Sequence, residues 1–210
     1  PVLSRLADHY GWRWVGVTIA LSALAVIPFV ALLLRNYPSD VGLLPYGAER
    51  DYVLPETSDR PIRAAFLAFT AAKRSGVFWL LWGSFFVCGL STNGLIQTHF
   101  LAAAHDHSVT ATQAASYLAL IGVFDVVGTI ASGWLTDRID PAKLLMVYYS
   151  FRGLSLLFLD PVLGTHGMGL IGFMVFYGLD WVATVPPTVA ICVERFGVQR
   201  GPLVYGWVFA

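Results

Sequence analysis

The chain has 210 residues, of which 57% are hydrophobic and 12% charged, and its mean hydropathy is +0.67. Soluble domains carry about a quarter of their residues as charges, so this composition excludes a water-facing globular enzyme and a disordered tail. Lys+Arg 13 balance Asp+Glu 13, which removes the basic excess that phosphate backbones require and with it a nucleic-acid partner. The class that remains is an all-α polytopic membrane helix bundle whose first partner is the lipid bilayer.

Crossing a hydrocarbon core about 30 Å thick takes about 20 apolar residues. Residues 1–11 read as the tail of an earlier helix and its loop. Residues 14–34 carry no charge and contain Pro28, where a kink is expected. The one long polar stretch follows, with Pro38, Pro45, Pro55 and Pro61 among mixed charges; it reads as a linker with a short surface helix near 62–72. Residues 77–100 are uncharged and turn polar late, at Ser91, Thr92, Asn93, Gln97, Thr98 and His99. Residues 114–135 hold Asp125, residues 144–163 hold Arg152 and, near their end, Asp160, and residues 168–192 hold Asp180 and Pro186-Pro187. Another span starts near Pro202. Between the third and fourth full spans, Asp137 to Pro141 form a tight turn, with Pro141 suited to the first turn of the next helix.

Chain order alone gives a long polar linker and, after it, four spans and the start of a fifth. The chain opens on Pro1, and the expectation is an internal piece of a longer protein. Basic residues mark the cytoplasmic side of a membrane protein. Here Arg35, Arg50, Arg60, Arg63, Lys73 and Arg74 fall on the side that also holds Arg138, Lys143, Arg195 and Arg200, against Arg5 and Arg13 on the other. The linker is therefore expected in the cytoplasm.

A charge at the bilayer centre costs about 3 kcal/mol or more and marks a cavity or a partner. Asp125, Arg152 and Asp180 lie near mid-depth on consecutive spans, which points to one polar layer. Each sits on a polar stripe at helical spacing: Tyr117, Asp125, Gly128 and Ser132; Tyr148, Arg152 and Ser155; Tyr177, Asp180, Thr184 and Thr188. Asn93 and Gln97 add an i, i+4 pair. Two readings stay open. The stripes line a water-filled path, or Asp125 and Arg152 form a buried pair that only locks two helices. Asp180 is then the unpaired acid or a second partner of Arg152. A carboxyl removed from water holds a proton more readily, which makes Asp125 or Asp180 a candidate proton carrier. Pro186-Pro187 interrupts a span at membrane depth, as discontinuous transporter helices do, or is a packing kink. Cys88 and Cys192 read as packed thiols, and His99, His105 and His107 around Asp106 as solvated loop side chains, so no metal or other cofactor is expected. Gly89 with Gly94, and Gly122 with Gly128, read as close helix contacts.

Gly133-Trp134-Leu135-Thr136-Asp137-Arg138, in a short turn between spans, resembles the G-x-L-x-D-R signature of major facilitator superfamily transporters. The family pattern continues with Gly-Arg, from which Ile139 to Lys143 depart. Gly11-Trp12-Arg13 before an uncharged span, residues 35–47 after it, and the acid in Val123-Phe124-Asp125 resemble the monocarboxylate and oxalate–formate-like branch. That branch often places an arginine one turn beyond the acid; here the position is Thr129, and Arg152 is the remaining candidate. The resemblance implies a partial major facilitator fold, from the end of helix five to the start of helix eleven. In that fold residues 1–35 end the N-terminal helical half, 36–74 form the linker between halves and 75–210 are part of the C-terminal half, with four spans and the start of a fifth. It implies a cytoplasmic gating role for Gly133, Asp137 and Arg138. It also implies a cavity lined in part by Asn93, Gln97, Tyr177, Asp180 and Trp181.

The function expected is secondary active transport of a small solute, such as an organic anion of the monocarboxylate kind. It would proceed by proton-coupled alternating access, in a bacterial inner membrane and without enzymatic chemistry. The rivals are an exporter of hydrophobic compounds on the same fold and a non-transporting membrane-embedded enzyme, receptor or remnant.

Overall fold

The computed structural model describes residues 2–35, 38–44, 60–163 and 167–210. The expectations for residues 36–37, for the linker stretch 45–59 with Pro45 and Pro55, and for the loop 164–166 lie outside the described residues. Two units divide the chain, Val2–Asp59 and Arg60–Ala210.

In the first unit, α1 (Val2–Tyr10) turns through Gly11 into α2 (Trp12–Leu33). Gly11 has φ +84°, a left-handed conformation that a residue with a Cβ rarely adopts. α2 has 22 residues and no charge after Arg13, a length that crosses the hydrocarbon core at about 1.5 Å per residue. It is apolar all round and buries no residue within its unit, as a lipid-facing helix does. Thr18 and Ser22 hydroxyls donate to the carbonyls of Trp14 and Thr18, each at 2.8 Å, so no water is needed to satisfy them. Pro28 lies inside the helix, which continues to Leu33.

In the second unit, α3 (Pro61–Ala72) leads into α4 (Gly76–Gly89), a wide π-helical stretch (Leu90–Gln97) and α5 (Thr98–Asp106). The last three form one continuous span of 31 residues, Gly76–Asp106. Then come α6 (Ala111–Thr136), α7 (Pro141–Leu157), α8 (Leu159–Leu163), α9 (Met168–Asp180), α10 (Val185–Phe196) and α11 (Gly201–Phe209). No strand occurs among the described residues. Local chemistry sets the boundaries. Thr110 and Gln113 form a capping box at the start of α6. Asp140 accepts from the backbone of Ala142 (2.8 Å) and Lys143 (3.4 Å) ahead of Pro141 at the start of α7. Gly197, at φ +84°, ends α10.

The fourth span differs from its expectation. Residues 144–163 are not one helix: α7 stops at Leu157, and α8 follows a turn at Phe158. Pro161 has no N–H to offer the Leu157 carbonyl four residues back, so a straight helix would leave that carbonyl unsatisfied. Consecutive spans run in opposite senses. Val77, Asp140, Glu194 and Arg195 meet around a groove of about 910 Å³ at one end. Val109, Leu163 and Leu170 share an apolar cluster at the other. A second cluster, with Phe78, Leu81, Leu145, Ile191 and Val204, fills the basic end. Between the two clusters, on every span, lie the mid-depth polar residues.

Close packing rests on glycines only partly foreseen. A Cβ on Gly128 would fall on the Leu179 backbone carbonyl. One on Gly178 would lie 2.7 Å from the Ile121 carbonyl oxygen. These two lock α6 to α9. Gly89 and Gly122 face open space, and Gly94 meets only Leu90 of its own helix at 4.0 Å, so those expected contacts are not made. Gly128→Ala must push the helices apart and is expected to destabilise by about 1–3 kcal/mol, while Gly122→Ala is neutral. Thermal melting of the two variants side by side in detergent checks this.

Candidate functional site

α9 ends at Asp180, and four residues of turn separate it from α10. The reason is in the sequence. Pro186 and Pro187 lack N–H groups, so the carbonyls of Val182 and Ala183 lose their helical donors. In a membrane core such groups must find partners inside the protein. Val185 N–H turns back to the Val182 carbonyl at 2.9 Å. Ser132 Oγ, on α6, donates to the Ala183 carbonyl. Arg152, on α7, takes the two preceding carbonyls: its Nη2 donates to Asp180 O and, at 2.9 Å, to Trp181 O.

The rest of the guanidinium is equally engaged. Nε donates to Asp180 Oδ2 at 2.7 Å, and Nη1 donates to Thr92 Oγ1 at 3.2 Å and to Cys88 Sγ. All five guanidinium N–H donors therefore have partners from α4, the π-helical stretch and the α9–α10 break. Arg152 is 2% exposed. Asp125 closes the arrangement from α6: its Oδ1 accepts from the Val182 backbone N–H at 3.0 Å and from Thr129 Oγ1 at 3.3 Å.

The expected layer of three charges thus exists, but its pairing differs. Asp125 and Arg152 do not form an ion pair. Arg152 pairs with Asp180, because the break gathers a carboxylate and two free carbonyls at one spot that a planar fork can reach. Asp125 serves as a cap on main chain. Among the described residues the polar stripes are closely packed: Gly128, Ser132, Tyr177, Asp180 and Thr188 are buried where α6, α9 and α10 meet, and Thr184, buried there too, also edges a cavity.

A cavity of about 320 Å³ opens on a different face. Phe85, Cys88, Gly89, Thr92 and Asn93 line one side, and Trp181, Val182, Thr184, Val185 and Phe209 the other. The π-helical stretch places Thr92 inward against Arg152 and Asn93 on the cavity; π segments often mark functional sites. Gln97 is exposed and outside the lining. Tyr177 is buried behind the guanidinium, its ring 5.9 Å from Arg152 Cζ. The Tyr177 hydroxyl, the Tyr149 hydroxyl and Asp180 Oδ1 are buried without a hydrogen-bond partner among the described residues. In the 137–140 turn, Arg138 lies 4.0 Å over the Trp134 ring and donates to the Trp134 carbonyl at 3.0 Å. The exposed Asp137 closes α6, its carboxylate without a partner among the described residues, and Gly133 is half-buried one turn earlier.

The sequence reading missed Cys88 and Thr92 as partners of Arg152, and Phe85 and Phe209 as cavity walls. One signal for the break was available: counting four residues back from each proline names the carbonyls left without donors.

With this geometry in place, the comparisons are decisive at the level of family. The sequence profile of the Major Facilitator Superfamily matches residues 1–210. The chain belongs to that superfamily. It is 30% identical over 201 residues to the uncharacterized MFS-type transporter YcxA of Bacillus subtilis (strain 168), covering 93% of this chain and 45% of that protein. Monocarboxylate transporter 12-B of Danio rerio is 30% identical over 220 residues, with 93% and 45% covered. The 3-(3-hydroxy-phenyl)propionate transporter of Escherichia coli (strain K12) is 28% identical over 233 residues, with 100% and 54% covered. The chain spans about half the length of these relatives. No solved structure matches it. The all-α bundle is a partial major facilitator fold of an integral, multi-pass membrane protein, and the family's members among these relatives are transporters.

Removing one partner of a buried ion pair costs about 3–5 kcal/mol, whereas replacing both by apolar groups is far less harmful. Arg152→Met should therefore lower the melting temperature sharply, and Arg152→Met with Asp180→Leu should recover part of the loss. Arg152→Lys should resemble Arg152→Met, because an ammonium cannot serve a planar five-donor site. Melting curves of the three variants in one detergent decide it.

Proposed function

We propose that the whole protein is a proton-coupled secondary transporter of an organic acid with an apolar or aromatic body. Residues 1–35 end its first half, 36–74 form a cytoplasmic linker and 75–210 belong to its second half, in a bacterial inner membrane. The observation that carries this reading is a cavity beside a broken mid-membrane helix, with aromatic walls and a neutralised ion pair directly behind it. Discontinuous helices at the midplane are where transporters of this kind hold their solutes. Phe85, Trp181 and Phe209 suit an apolar or ring-bearing body, and Thr92 and Asn93 supply hydrogen bonds. The names of the relatives, a monocarboxylate transporter and a 3-(3-hydroxy-phenyl)propionate transporter, support the same class. The concentration of Lys and Arg at the end formed by Arg138, Lys143 and Arg195 supports the orientation.

The proton has one favoured seat. Asp125 is half-buried, with Oδ1 held by a backbone N–H, whereas Asp180 is buried and its Oδ1 has no hydrogen-bond partner among the described residues. While Asp180 is ionised it cancels the charge of Arg152. A proton on Oδ1 leaves that charge unbalanced next to the cavity, which favours entry of a carboxylate. Proton and anion then move together without net charge. Asn93, Tyr177 and Trp181 shape the cavity and its back wall in this scheme, Gln97 lies on the open face, and Asp137 and Arg138 belong to the cytoplasmic gate.

Uptake of a panel of labelled aliphatic and aromatic acids into vesicles holding the full protein tests this. Accumulation driven by an inward proton gradient is expected. Asp180→Asn keeps the side-chain shape but leaves Arg152 without its counter-charge, so it should lower the melting temperature. In the folded fraction it should cut gradient-driven accumulation by about tenfold or more while exchange of solute persists, whereas Asp125→Asn should lower stability with the gradient dependence kept. A pH dependence intact in Asp180→Asn removes the coupling scheme. The second reading, export of a hydrophobic compound, is favoured by the aromatic lining and by the full internal engagement of Arg152. Saturable, gradient-dependent extrusion of hydrophobic dyes without carboxylate uptake would establish it instead.

A further inference from the structure

α3 has two faces that the transport reading leaves unexplained. One face is packed: Ala68 and Ala72 are 3% and 0% exposed against the cluster formed with α4 and α11. The Trp207 indole of α11 donates to the Ala65 carbonyl at 2.9 Å, and the Trp207 ring lies 4.8 Å from that of Phe69. The other face is apolar and open, with Ile62 75%, Phe66 55% and Leu67 58% exposed. Arg63 lies on this open face, and Lys73 and Arg74 follow at the helix end, all exposed. No Asp or Glu occurs between residues 60 and 105.

A helix of 12 residues is about 18 Å long, too short to cross a bilayer. An apolar face bordered by cations is what a helix lying in the headgroup region presents. The neighbouring turn of α4 fixes the level. Trp79 donates from its indole to the Lys73 carbonyl at 2.9 Å, and Trp79 and Trp82 are both exposed on the outside of α4. Exposed tryptophans collect at the membrane–water boundary. Water on the open face of α3 would strand three large apolar side chains. A protein cover would have to set acids against Arg63, Lys73 and Arg74, and the nearest in sequence are Glu49, Asp51, Glu56 and Asp59 of the preceding linker.

We propose that α3 lies in the cytoplasmic headgroup layer, with Ile62, Phe66 and Leu67 in the acyl boundary and Arg63, Lys73 and Arg74 binding anionic phospholipid headgroups. Because α3 is packed on α4 and α11, lipid charge bears directly on two helices that wall the cavity. The proposal needs the chain to span a membrane but does not depend on which solute is carried.

The test uses the protein reconstituted in mixed phosphatidylcholine–phosphatidylglycerol vesicles with spin-labelled lipids. The unsubstituted protein should prefer labelled phosphatidylglycerol over phosphatidylcholine by about twofold or more, averaged over boundary lipid, and the preference should weaken with salt. Arg63→Gln with Lys73→Gln and Arg74→Gln should bring the ratio close to one. A ratio unchanged in that triple variant overturns the proposal. Independently, a nitroxide on Leu67→Cys, corrected for labelling of the unsubstituted protein, should collide with oxygen far more than with a water-soluble nickel complex. Nickel-dominated collisions place the face in water, and suppression of both places it under protein; either overturns the proposal.

Discussion

The structure of the second unit depends on what two adjacent prolines do to a backbone that has no water to turn to. Pro186 and Pro187 withdraw two donors from a helix at mid-membrane depth. Three polar side chains around them answer that withdrawal. Ser132 reaches in from α6 and Arg152 from α7, and Asp125 takes the N–H that the turn leaves over. Arg152 is then held by its own work. A guanidinium in an apolar core is tolerable because its donors are all used and its charge is met by Asp180 at 2.7 Å.

This network divides the packing into two apolar clusters with a polar layer between them. The clusters supply cohesion at the two ends of the bundle. The layer supplies specificity of arrangement, because each group in it has few alternatives. Gly128 and Gly178 make the layer possible by letting α6 approach the end of α9 closely enough for Ser132 and Asp125 to reach the broken segment. The cavity forms on the side of the break where α6 is absent, between α4, its π-helical extension and α11.

Much of the fold was legible in the sequence because hydrophobic length is a strong signal. The spans, the capped turn at Asp140-Pro141 and the superfamily signature at 133–138 all follow from local residues. The fourth span was misjudged because its composition stays apolar through Pro161, and composition does not register a lost donor. In the site, depth was legible and partnership was not. Asp125, Arg152 and Asp180 were placed in one layer by counting along their spans. Which acid faces Arg152 depends on helix rotation and on the Asp180 and Trp181 carbonyls that the break exposes to its guanidinium. The stripes of small polar residues were open to two readings for a related reason: the same side chains that could line water also let helices pack tightly, and Gly128 against the Leu179 backbone is a packing contact.

The clamp on the broken helix grips peptide groups. Arg152, Ser132 and Asp125 hold the segment through the carbonyls of Asp180, Trp181 and Ala183 and the N–H of Val182, not through the side chains of Trp181 or Val182. Those two side chains are part of the cavity wall. Trp181 is also held by its ring contact with Tyr177 at 5.5 Å and by the neighbouring apolar cluster, whereas the clamp holds Val182 through its N–H alone. The wall can therefore change at Val182 while the frame that supports it stays fixed.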